Sequence, residues 1–143
     1  MASYDSSKQS NLSKRSGQVY RDLNLDFLQN SATKDIQKMV DIESVKRSVR
    51  NLINLNHYEK PFHPEIGSNL RAMLFENITP QMSHAIQKEI SLLLENFEPR
   101  AKLVGIRSIP DFDRNAYSMS LEFYVVNTPT ELVTLDVMLE RLR

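Results

Sequence analysis

From Met82 to Phe97 the apolar residues Met82, Ala85, Ile86, Ile90, Leu93, Leu94 and Phe97 recur every three or four positions. They trace a broad stripe along one side of a helix. Thr79-Pro80 stands just ahead of it, a hydroxyl to cap free amides and a proline suited to the first turn. Pro99 disfavours helical geometry at Glu98, so the spacing predicts a helix that stops there. A second helix is predicted from Asp41, with Ile42, Val45, Val49, Leu52 and Ile53 facing inward and Asp41 as its cap. Lys46, Arg47 and Arg50 lie on its other face, as a solvated surface or a contact for an acidic partner. After Pro61 and Pro64 break the chain, Gly67-Ser68-Asn69 leads into a shorter helix, with Leu70, Met73, Leu74 and Phe75 directed inward.

Elsewhere the period is two. Asp22 to Phe27 alternates, which predicts a short half-buried strand carrying Leu23, Leu25 and Phe27 on one face. Lys102 to Ile109 reads as a strand, Pro110 to Asn115 as a turn, and Ala116 to Val126 as a strand with Tyr117, Met119, Leu121, Phe123 and Val125 alternating. Asn127-Thr128-Pro129 is a second turn. The last segment fits both periods: Val133, Leu135, Val137 and Leu139 alternate, while Leu132, Leu135, Leu139 and Leu142 recur as on a helix. Its β-branched content and its place after a hairpin favour a strand. The predicted architecture is α+β: an N-terminal strand, three helices, then a C-terminal antiparallel β-meander. Residues 1–19, rich in Ser, Asn, Gln and Lys, are expected to form a flexible polar tail ahead of a single domain spanning 20–143. Lys8, Lys14 and Arg15 would be its contacts if it orders on a partner.

Composition narrows the function. The chain has 143 residues, enough for a core without metal or disulfide. Its 18 basic and 18 acidic residues cancel, so no overall field draws nucleic acid or an anionic membrane. It lacks cysteine, which excludes a disulfide scaffold, a thiol nucleophile and a Cys-based zinc site. No apolar run reaches membrane-spanning or signal-peptide length, so the chain is expected to be soluble. His57, His63 and His84 show no metal-ligand spacing, so no metal is expected. Three glycines, at 17, 67 and 105, make no phosphate-cradling loop, so no cofactor is expected either. Glu59, Glu65, Glu76, Glu89, Glu95 and Glu98 could supply a two-carboxylate hydrolase acting on cell walls. A regulatory adaptor of similar fold is a further alternative. No catalytic residue is assigned.

The stretch LLLENFEPRAKLV carries the sharpest local signal. In an extended segment, side chains two residues apart point the same way, about 6–7 Å apart. Pro99 fixes the backbone between Glu98 and Arg100, so the sequence suggests an ion pair held out for another protein with little freedom to lose. Glu98 is also poorly placed for its own helix, because a carboxylate opposes the dipole at a C-terminus. The same pair can instead bond within the domain, with Arg100 fastening the helix end.

Glu98-Pro99-Arg100, between a long helix and a meander, resembles the Glu-Pro-Arg signature of the small baseplate-wedge proteins of contractile-tailed phages, which have relatives in type VI secretion baseplates. The block RSVRNLINLNHYEKPFHPEIGSNLRAMLFENITP (Arg47 to Pro80) is similar to the family's first half: a helix, an N-x-Y-E/R-x-P-F loop, and a short helix opened by Gly67-Ser68 and closed by Leu74-Phe75-Glu76. The likeness covers roughly residues 20 to 130, and Asn56 to Phe62 points to the T-even-like branch. It implies a non-enzymatic structural part of the inner baseplate, in the virion tail, assembled in the host cytoplasm. Glu98, Pro99 and Arg100 would contact the helical core bundle of larger wedge proteins. The C-terminal strands would help to initiate the sheath, Val133, Leu135, Val137 and Leu139 forming the edge to which a neighbour's strand adds. Implied partners are the larger wedge proteins and the tail sheath protein, with the tail tube or hub as a further candidate. Nucleic acid, membrane and small-molecule substrates are not expected. Gly67, Leu70, Leu74 and Phe75 would hold the fold.

Overall fold

A computed structural model describes residues 20–126 and 128–140, and the predicted tail 1–19 lies outside them. The chain divides into two compact units at Asp41/Ile42. In the first, β1 (Arg21–Leu23) pairs antiparallel with β2 (Lys38–Val40), Arg21 opposite Val40 and Leu23 opposite Lys38. The Tyr20 carbonyl accepts the Asp41 amide at 2.9 Å, and the Asp41 carboxylate accepts the Tyr20 amide at 3.3 Å. This corrects the expected strand over 22–27. Asn24 is buried, and its side-chain carbonyl accepts the Asp26 amide at 2.9 Å. The Phe27 amide returns to the Asn24 carbonyl at 3.0 Å, with Phe27 at φ 53. That local turn ends the strand at Leu23. Leu23, Leu25 and Phe27 therefore share no buried face, and all three are exposed. The second strand of the hairpin, only three residues long, gave no usable period in the sequence.

In the second unit, α1 (Asp41–Asn54) buries Ser44, Val45, Val49, Leu52 and Ile53. A loop leads to α2 (Leu70–Met73), where Leu70 and the following Leu74 are buried. Phe75 is exposed, contrary to the inward placement expected of it. The third helix, α3 (Pro80–Phe97), starts and stops where the sequence predicts. The Thr79 hydroxyl accepts the Met82 amide at 3.1 Å, and the Glu98 amide closes the last turn on the Leu94 carbonyl at 2.9 Å. Its buried side, Ser83, Ile86, Ile90, Leu93 and Leu94, follows the helical period. Ser83 donates to the Ser108 carbonyl at 3.2 Å, tying α3 to the sheet.

That sheet is a meander of β3 (Ala101–Asp111), β4 (Ala116–Val125) and β5 (Thr128–Glu140) in the order β3-β4-β5. The last segment is a strand, as its β-branched content suggested. Its expected turn is displaced: Asn127 lies outside the described residues, and Thr128 already pairs with Val125. β3 likewise runs past Pro110 to Asp111, leaving a tighter turn over 112–115. In that turn the Asp111 carboxylate accepts the amides of Asp113 and Arg114. Tyr117, Met119, Leu121, Phe123 and Val125 fill the inner face of β4. Across from them stand Leu139, Val137, Leu135 and Val133 of β5, all buried. The central strand is the apolar heart of the unit, and the α+β class stands.

Candidate functional site

Three places concentrate chemistry. The first is the junction between α3 and β3, where Glu98 adopts φ −131, ψ 68 and is only 3% exposed. Arg100 grips its carboxylate with both ends of the guanidinium fork: Nε donates to Oε1 at 2.6 Å and Nη2 to Oε2 at 2.9 Å. The Ser48 hydroxyl, from α1, donates to the same Oε2. The Arg100 carbonyl accepts the Val126 amide at 3.0 Å, fastening the junction to the end of β4. The expectation that both charges are displayed outward is therefore corrected for Glu98. The two side chains do share a side, but they face each other, and the carboxylate turns inward. A carboxylate at a helix C-terminus is unfavourable alone, and burial raises that cost. A bidentate arginine and a hydroxyl offset both. Arg100 keeps 29% of its side chain exposed, and Pro99 is exposed beside it. An open cleft of about 480 Å³ adjoins them, lined by Ser91, Leu94, Glu95, Pro99, Lys102 and Leu103.

The second place is β5. It ends the strand order, so one of its backbone edges has no partner strand within the sheet. Val133, Leu135, Val137 and Leu139 do not line that edge as contact side chains; they are core residues. An incoming strand would meet the backbone and the exposed side chains Leu132, Thr134, Asp136 and Met138. The edge begins at the end of the sheet that holds the Glu98–Arg100 junction, since Ala101 opposes Val125 and Val125 opposes Thr128.

The third place is the loop joining α1 to α2. Its two motifs fold onto each other. Gly67, at φ 146, presses on the main chain of Asn56, where an added Cβ would stand 2.5 Å from the Asn56 carbonyl carbon. The Ser68 amide donates to the Leu55 carbonyl at 3.0 Å, and the Tyr58 amide to the Pro64 carbonyl at 3.1 Å. The Glu59 carboxylate accepts the Asn56 amide at 2.9 Å and its side-chain NH₂ at 2.7 Å, with Arg71 Nη1 3.5 Å away. These Asn56 hydrogen bonds, helped by the charge of Arg71, hold the Glu59 carboxyl below its usual range. Glu65 is lowered too, chiefly by its own backbone amide and then by His63, whose Nδ1 lies 3.0 Å from Oε1.

Of the carboxylates considered for hydrolysis, Glu59, Glu65 and Glu98 are thus engaged with neighbours in the fold. Among the described residues no group of three His, Asp or Glu side chains could hold a metal, and no helix is long and apolar enough to cross a membrane. Tyr117 is buried in the core, which raises its hydroxyl pKa, an effect opposed by the Thr79 main chain.

A helix layer on an antiparallel meander with an open edge, and an arginine–carboxylate clasp at the α3–β3 junction, defines a small α+β module. Residues 40–130 match the family of the baseplate wedge protein gp25, and the chain belongs to that family. It is thereby a structural component of the baseplate of contractile tails. The baseplate wedge protein gp25 of Enterobacteria phage T4 is 28% identical over 106 residues, covering 74% of this chain and 80% of the relative. Among solved structures, a chain of the anti-feeding prophage baseplate aligns with a TM-score of 0.60 at 18% identity, covering 87% of each chain. A chain of the type VI secretion baseplate complex also gives 0.60 at 18%, covering 70% of this chain and 93% of that one. A Geobacter sulfurreducens protein whose name suggests a tail lysozyme gives 0.64 at 20%, covering 71% and 91%. These likenesses show a shared fold, and that last name assigns no activity here.

Proposed function

We propose that this chain acts without enzymatic activity, joining the helical core bundle of larger wedge proteins to the first ring of sheath. Pro99, Arg100 and the adjoining cleft would dock on the bundle, with Glu98 holding the arginine in position rather than touching the partner. The unpaired edge of β5 would accept a sheath strand. The observation that carries this reading is the placement of both features at one end of the meander: the clasp fixes where β3 begins, and the open edge starts two strands away. A rigid frame between two contacts lowers the ordering cost of each.

The test must spare the core. Removing β5 would take away Val133, Leu135, Val137 and Leu139, which are buried, so a truncation to residue 129 would report on folding. Leu132→Lys with Met138→Lys changes only exposed positions of β5 and places charges on the edge strand. We expect an unchanged fold, normal incorporation into wedges, and failure to start sheath polymerisation. Glu95→Lys with Lys102→Glu, in the cleft, should instead weaken wedge incorporation. Sheath growth at the normal rate on the β5 variant would refute the strand-addition reading.

A further inference from the structure

The two most exposed large apolar side chains among those described are Phe62, at 97%, and Tyr58, at 85%. Both sit in the loop between α1 and α2, and both have left-handed backbones, φ 66 and φ 69. Bulky residues avoid that region, so the loop accepts strain while leaving its aromatics in water. Nothing about the strain is relieved by burial of these rings. The loop is nevertheless well braced. Glu59 clamps Asn56, Arg71 approaches Glu59, the Tyr58 amide is fixed by Pro64, and Gly67 seats the loop against Asn56. The His57 ring meets Tyr58 edge-on, with centroids 6.5 Å apart. An arrangement that presents apolar rings to solvent from a braced backbone suits a preformed contact, since Tyr and Phe bury much area with few torsions to freeze.

We infer that Tyr58 and Phe62 form an aromatic plug that enters an apolar pocket on a neighbouring protein of the baseplate. This deepens the function proposed above and rests on it. Charge selects the partner class. Glu59 and Lys60 lie between the two aromatics in the chain and Glu65 follows them, with Arg71 3.5 Å from Glu59 and His63 3.0 Å from Glu65. Glu59 and Glu65 are balanced by Lys60 and Arg71, so the loop offers no net positive charge to a phosphate-rich lipid surface or nucleic acid. A protein pocket can offer a cation to Glu65 and an anion to Lys60 at its rim, leaving the centre apolar.

The experiment uses the full chain carrying Tyr58→Gly and Phe62→Gly together, against wild type. Glycine tolerates both backbone angles, so the isolated variant is expected to melt at or slightly above the wild-type temperature. Competed against a differently tagged wild-type chain for co-expressed larger wedge proteins, the variant should enter wedges at least tenfold less. Equal incorporation would overturn the plug, as would an unfolded variant, because the rings would then be structural. Two further outcomes would reassign the loop and so overturn the inference. One is flotation of wild type, but not the variant, with phosphatidylglycerol vesicles. The other is wild-type self-association in sedimentation that the variant loses. If wild type itself fails to enter wedges, the baseplate-docking reading falls and the plug with it. If the Glu95→Lys/Lys102→Glu variant is excluded while the glycine variant enters normally, only the plug falls.

Discussion

The junction at 98–100 and the loop at 56–67 invert what their residue types suggest. Two charged residues around a proline look made for solvent, yet Glu98 is turned inward and held by Arg100 and Ser48. Two aromatics look made for a core, yet Tyr58 and Phe62 stand in water. The difference lies in what each backbone can reach. Glu98 ends a long helix packed on the sheet, so its side chain emerges under α1, where only a paired charge is tolerable. The loop is held by its own hydrogen bonds and by Gly67, and it needs no ring for its closure. Residue type sets a cost; the local frame decides which side chain bears it.

The comparison can be broken most forcefully at Gly67. If the loop's frame is independent of its aromatics, Gly67→Ala should cost about 3–4 kcal/mol, since the new methyl group meets the Asn56 main chain and φ 146 is strained for alanine. Urea unfolding of the isolated chain would measure it, and a loss below about 1 kcal/mol would mean that the two motifs are not locked together. Arg100→Ala comes next, at about 2–3 kcal/mol, because it leaves Glu98 buried with Ser48 as its remaining side-chain partner of those described above; the partial exposure of Arg100 keeps the figure at the lower end. Adding Glu98→Gln to Arg100→Ala should restore much of that loss. If the two losses simply add, the clasp is not the reason for the burial.

These contrasts also separate what was legible in the chain from what was not. The third helix and the central strand could be read because their signals are local: a Thr-Pro start, a proline stop, five alternating apolar residues. Asp22 to Phe27 shows the same alternation as Ala116 to Val125, but Asn24 closes a turn onto Asp26, and only a two-stranded hairpin forms. Alternation predicts a buried face only where strands flank it. The inward turn of Glu98 depends on Ser48, fifty residues away, and no spacing rule reports that contact. The outward aromatics depend on positive φ values, to which Tyr58 and Phe62 give no clue by type, although the prolines on either side of Phe62, Pro61 and Pro64, mark a loop with fixed turns.

The smallest expected effect concerns acid, and it sharpens the claim that Glu59 braces the loop. Its carboxyl titrates below the ordinary 4.5 in the fold because the Asn56 amide and side chain donate to the charged form. A lowered folded pKa means that the unfolded chain takes up a proton first as pH falls. The stabilisation is therefore present in full above the unfolded value, and it drains away as pH drops through 4.5 towards the folded one. Glu59→Gln removes the titrating group but leaves an acceptor for Asn56. Its stability should match wild type most closely at the acid end and fall slightly short of it near neutrality. Melting curves between pH 3 and 7 would show the wild-type advantage growing with pH. A constant offset across that range would mean that Glu59 acts through shape rather than charge, and the loop would be braced by Gly67 and the Tyr58–Pro64 hydrogen bond instead.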